Sequence, residues 1–236
     1  MAIQGDLAMT PAEMEAVSPL PMGAAWMSCH FSPEGEGLTD LPRSLPESAL
    51  LILDDSIPPT GQEPQKILEI LKDTVDRLHC GAVLLDFQRT NRTETADLAH
   101  VLARGLSCPV GVSQGYAINT DGPVFLPLLP PHKSLRAYLQ PWNGREIWLE
   151  VGPGAETVAV TEDGAKVLPV PAALPSCPFS HEGLHCHYGI QPQDRQILFT
   201  LSRTREDLSA LIQEAECLGV TRTIGLYQEL AQLTEQ

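Results

Sequence analysis

The chain has 236 residues, enough to bury a large core and to close one α/β barrel. Its formal net charge of -15, from 15 basic and 30 acidic residues, excludes nucleic acid and anionic membrane as partners, because both are held by clustered Lys and Arg. Residues 1–17 lack a basic segment leading into an apolar one, and nowhere do about 18 apolar residues run together, so a soluble, cytoplasmic protein is expected.

The six cysteines are scattered singly beside apolar residues, as buried free thiols are. Residues 23–30, GAAWMSCH, read as a first strand, followed to residue 47 by a loop rich in Gly, Pro and Glu. The continuous apolar run ALLILD at 49–54 fits a strand covered on both faces. From 63 to 78, Ile67, Leu68, Ile70, Leu71, Val75 and Leu78 recur at helical spacing. A third strand, GAVLLDFQR, occupies 81–89. Alternation puts Ala82, Leu84, Asp86 and Gln88 on one face and Val83, Leu85 and Phe87 on the other.

A helix over 93–106 follows, with Leu98, Val101, Leu102 and Leu106 on one stripe, and CPVGVSQGY supplies a fourth strand. Gly111 to Gly115 carry the letters of a nucleophile elbow, yet residues 116–123 read as a loop, not the helix an elbow requires. PVFLPLL at 123–129 is a fifth strand, 132–139 a short helix and REIWLEV at 145–151 a sixth strand. The Asp-Gly turn at Asp163-Gly164 predicts an inserted hairpin over about 157–168. A Pro-rich segment runs to about 192. QILFTLS, a helix over 204–218 stopped by Gly219, and TRTIGLYQ then complete the chain.

Eight main strands with helices between them predict a single (β/α)8 TIM-type barrel over 1–236, trimmed, with some helices shortened or replaced by loops. An open doubly wound sheet is the alternative. Polar residues gather where the strands end: His30, Asp54, Asp86, Gln88, Gln114, Tyr116, Trp148, Glu150, Tyr227 and Glu229. Carboxylates and amides bond hydroxyl groups, and aromatic faces cover the apolar side of a sugar ring, so this rim suits a polyhydroxylated ligand. Neither a phosphate loop nor a dinucleotide-binding fingerprint occurs, and no cofactor is expected.

GAVLLDFQR resembles the fourth-strand signature of family 18 glycoside hydrolases and chitinase-like barrels, where alternating acidic residues end in a catalytic glutamate. There the last Glu is the general acid, the Asp two places before it orients the substrate's N-acetyl group, and the substrate supplies the nucleophile. On this chain Asp86 matches that Asp and Gln88 stands in place of the acid, while Leu84 and Gly81-Ala82 depart from the acidic pattern. The resemblance implies a barrel with a carbohydrate-binding cleft and no family 18 catalysis, since an amide cannot give up and retake a proton as a carboxyl does. If the pocket is catalytic it is a glycoside hydrolase drawing on Asp86, Glu150 and Glu229, with Gln88, Trp148, Tyr227, Gln114, Tyr116, His30 and Asp54 binding substrate.

Two other readings stand beside it. Cys177, His181, His185, Cys186 and His187 crowd into one short segment whose His-x-His suits a divalent metal, which would make a metal-dependent hydrolase. A noncatalytic interaction barrel, homo-oligomeric or bound to a partner, fits the acidic surface and the Pro-rich insertions.

Overall fold

The computed structural model describes residues 3–35, 37–89 and 92–232. The chain opens with β1 (Gln4–Met9), α1 (Pro11–Ala16), β2 (Ala24–Phe31) and the two-residue β3 (Leu38–Thr39). Next come β4 (Leu50–Asp54), α2 (Pro64–Leu78), β5 (Ala82–Asp86), α3 (Thr93–Gly105), β6 (Val110–Ser113), β7 (Val124–Leu126), α4 (Leu135–Leu139) and β8 (Ile147–Glu150). The strands β9 (Ala155–Thr161), β10 (Gly164–Leu168), β11 (Phe179–His181), β12 (Cys186–Gln193) and β13 (Gln196–Ser202) precede α5 (Arg205–Cys217), β14 (Val220–Leu226) and α6 (Tyr227–Gln232).

Local chemistry sets these boundaries. Thr10 and Glu13 cap α1 reciprocally, and Thr204 and Asp207 do the same for α5, each satisfying amides that the first helical turn leaves unpaired. Helix α2 starts at Pro64, buries Ile67, Leu68, Leu71, Val75 and Leu78, and stops where His79 turns left-handed with φ 52°.

Among the described residues the strands form two sheets. Eight parallel strands run in the order β1-β14-β8-β7-β6-β5-β4-β2, and pairing of β1 with β2 closes them into a barrel, with β3 added antiparallel to the end of β2. This is the expected (β/α)8 barrel, and closure excludes the open sheet. It is trimmed as expected: a single 3-10 turn follows β6, and α1, α4 and α6 are short. The second sheet, β10-β9-β13-β12-β11, is antiparallel and lies between β8 and α5.

Two sequence expectations change, and their effects on the strand count cancel. The strand β1 went unread, and it makes GAVLLD the fourth barrel strand, not the third. QILFTLS, expected in the barrel, is β13 and pairs antiparallel with β9 and β12. The β9-β10 hairpin is therefore joined by three further strands, two of them drawn from the Pro-rich segment.

The core has two shells. Outside the barrel, α2 and α3 pack on the outward residues of β4, β5 and β6, including Leu51, Leu53, Val83, Leu85 and Val112. Inside lie Leu50, Ile52, Leu84, Phe125, Trp148 and Ile224. A side chain at Gly111 would put its Cβ 2.3 Å from the Trp148 ring, so a glycine on β6 makes room for that indole. No described helix is long and apolar enough to cross a membrane.

Candidate functional site

Alternation along the strands carries one inward residue from each of three to the C-terminal mouth of the barrel: Asp54 of β4, Asp86 of β5 and Glu150 of β8. Asp54 and Asp86 are register partners on neighbouring strands. An irregularity between Trp26 and Cys29 in β2 resets the alternation and turns His30 inward, its Nδ1 2.8 Å from Asp54 Oδ2. The three carboxyl groups stand over a floor of Leu84, Phe125 and Ile224 around a cavity of about 90 Å3. Ligand pockets usually hold about 300–1,000 Å3, so anything larger than a few waters or one polar substituent must lie across the rim.

The surroundings of Asp86 and Glu150 oppose their ionisation. Burial pushes the Asp86 carboxyl above the usual carboxylate range, against hydrogen bonds from Gln88 (2.5 Å) and Ser113 (3.4 Å), and the charges of Asp54 and Asp55 push the same way. Glu150 is also raised, first by burial and then by Asp86 and Glu229, while the Leu128 amide, donating to its Oε2 at 3.0 Å, works in the opposite direction. Beside them Tyr138 is pushed up to about 12 by burial and by Glu150, and its hydroxyl donates to the Pro127 carbonyl at 2.9 Å. An upward shift of this kind favours the protonated form that a general acid needs.

The other expected residues divide. Gln88 is exposed at the rim, its side-chain amide spent on Asp86 and its backbone amide donating to the buried Asp55 at 2.8 Å. Tyr227 and Glu229 open α6 directly after β14, and the Glu229 carboxylate reaches Gly152, where an added Cβ would come within 2.9 Å of it. Gln114 is exposed, and its backbone amide donates to the Phe125 carbonyl at 2.9 Å, outside the cavity lining.

Two aromatic residues expected to bind substrate are structural. Trp148 is 2% exposed in the barrel interior, its indole donating to Glu146 at 3.2 Å and lying under the Arg222 guanidinium at 4.6 Å. Tyr116 is buried against the edge of Phe87 outside the barrel, with its hydroxyl donating to the Arg89 carbonyl. Sequence reasoning missed Leu128 and Tyr138, which lie in irregular or helical segments where no periodic signal aims them at the mouth. It weighed Ser113 only as a nucleophile; its inward position on β6, next to outward Val112, marked it as a neighbour of Asp86.

The Cys/His segment does not converge. Among the described residues, no three His, Cys, Asp or Glu side chains are grouped to hold a metal ion. The Cys177 thiol donates to the Thr200 carbonyl at 3.4 Å, Cys186 is buried, His181 lines an apolar cavity on the second sheet, and His185 and His187 each face a carboxylate. This corrects the expectation of a His-x-His ligand pair.

Fold and mouth together define a (β/α)8 barrel with an inserted antiparallel sheet and an acidic C-terminal opening. No protein-family model matches the chain, and no curated protein matches it in sequence. Solved structures do share its fold. The spore cortex-lytic enzyme SleL of Bacillus cereus aligns with a TM-score of 0.55 at 8% identity over 99% of this chain and 74% of its own. SleL of Bacillus megaterium QM B1551 gives 0.54 at 7% identity over 98% and 73%. YdhD of Bacillus subtilis, proposed as a sporulation-specific glycosylase, gives 0.51 at 11% identity over 83% and 87%.

Proposed function

We propose that this barrel binds carbohydrate across its C-terminal mouth, as a glycoside hydrolase-like protein that lacks family 18 catalysis. The observation that carries the reading is the convergence of Asp54, Asp86 and Glu150 at the strand ends, with burial disfavouring the charged form of two of the three, Asp86 and Glu150. Carboxyl groups and the Gln88 amide offer acceptors and donors for sugar hydroxyls. The fold shared with SleL and YdhD supports the ligand class. Gln88 occupies the position of the family 18 acid and has no proton to give, so the general acid in this reading is Glu150. Asp86 and Glu229 are the carboxylates near enough to interact with it electrostatically and to act as its partner.

The test uses N-acetylglucosamine oligomers and spore-cortex glycan fragments, with binding followed by calorimetry and products by mass spectrometry. The reading predicts saturable binding that Asp86→Asn weakens at least about ten-fold. Any turnover falls at least about 100-fold in Glu150→Gln, the usual range for loss of a general acid, and persists in Gln88→Ala. Absence of binding to every glycan, or turnover unchanged in Glu150→Gln, contradicts it.

A further inference from the structure

Three of the chain's seven histidines face a carboxylate across the join between the second sheet and the barrel. His132, on the loop after β7, meets Glu156 of β9, Nδ1 to Oε2 2.5 Å. His185, just before β12, meets Glu214 of α5, Nε2 to Oε2 2.5 Å, and His187 of β12 meets Asp207 of α5, Nδ1 to Oδ2 2.7 Å. In every pair one partner belongs to the sheet segment 155–202 and the other to the barrel.

The remaining groups at the join are few. Arg203, 4% exposed at the end of β13, donates from Nη1 to the Leu129 carbonyl at 2.6 Å and feels the charges of Cys186, Asp207 and Glu156. Asp207 also accepts from the Thr204 amide and hydroxyl, and Cys186 lies near Cys177. One loop gathers three of these links: Leu128 holds Glu150, Leu129 accepts from Arg203, and His132 meets Glu156. The join is thus continuous with the mouth.

An imidazole changes charge between about pH 5 and 8, and a hydrogen bond between charged partners is roughly twice as strong as a neutral one. With neutral imidazoles, the carboxylates of Glu156 and Asp207 share the guanidinium of Arg203, and Glu214 faces an uncharged ring. With protonated ones, each carboxylate has its own cation. We propose that docking of the 155–202 sheet is a proton-linked latch, tight in mild acid and looser above neutrality, whose loosening frees the loop that holds Glu150.

Hydrogen exchange of the full chain at pH 5.5, 6.5 and 7.5, corrected for intrinsic exchange rates, reads the latch directly. Protection over 155–202 and 127–132 is expected to rise at least about ten-fold from pH 7.5 to 5.5 relative to β4 and β5, the equivalent of about half a linked proton averaged over that interval. It is expected to stay flat in the triple variant His132→Gln/His185→Gln/His187→Gln. No rise in the parent, an equal rise in β4 and β5, or the same rise in the triple variant overturns the proposal. If the triple variant leaves the sheet unprotected at every pH, the three single variants decide: each must shrink the parental ratio, and an unchanged ratio in all three overturns it. Glycan plays no part in the experiment, so its failure leaves the reading of the mouth intact.

Discussion

Glu150 sits where burial, Asp86 and Glu229 all disfavour its charge, and the Leu128 amide is the group that favours it. Its folded-state value lies above that of an unfolded glutamate, so its contribution to stability is present in acid and is lost as pH rises through the raised value. Asp86 acts in the same direction. Glu150→Gln removes that loss: the variant should melt roughly 2–4 °C above the parent at pH 8, with a smaller gap at pH 5. Thermal unfolding at the two pH values checks this, and parallel curves contradict it. Asp54, Asp86 and Glu150 were legible because alternation fixes which side of a strand a residue faces. Depth was not. Trp148 faces inward like Glu150 but two residues lower, in space that Gly111 leaves open, and Tyr116 lies beyond the end of β6, where alternation no longer applies.

The unread strand β1 shows how a barrel can hide an element. Its inward positions include Asp6, and a polar residue between Gln4 and Ala8 erases the apolar signature of a buried strand. In the fold Asp6 has a partner that no local pattern reveals, Arg222 of the adjacent β14, at 3.2 Å. Asp6→Asn leaves that guanidinium buried without its counter-charge and should cost about 3–5 kcal/mol, whereas Asp6→Asn with Arg222→Met should recover much of the loss. Chemical denaturation of both variants measures the difference; a loss under about 1 kcal/mol for Asp6→Asn refutes the pairing's role. The opposite error, placing β13 in the barrel, had a readable sign. The barrel strand β4 is apolar on both faces from Leu50 to Leu53, while QILFTLS carries Thr200 and Ser202 on one face and Ile197, Phe199 and Leu201 on the other, the habit of an antiparallel sheet.

At the scale of the whole molecule the sequence yielded eight strands, a trimmed barrel and an insertion, because strand and helix periods are local. Closure and the reach of the second sheet depend on pairings between distant segments, such as β1 with β14 and β9 with β13, which no window of sequence contains. Function is more remote still, since the solved structures that share this fold do so at 7–11% identity. The proposal that the mouth binds carbohydrate is tested most directly by amide chemical-shift mapping of the full chain during titration with N-acetylglucosamine oligomers. Saturable shifts are predicted at Leu128, whose amide reports on Glu150, at Gln88 beside Asp86, at Ser56 beside Asp54, and at Gly225. Titration to millimolar ligand with no saturable shift at these four positions, or with shifts confined to the second sheet, would contradict the account.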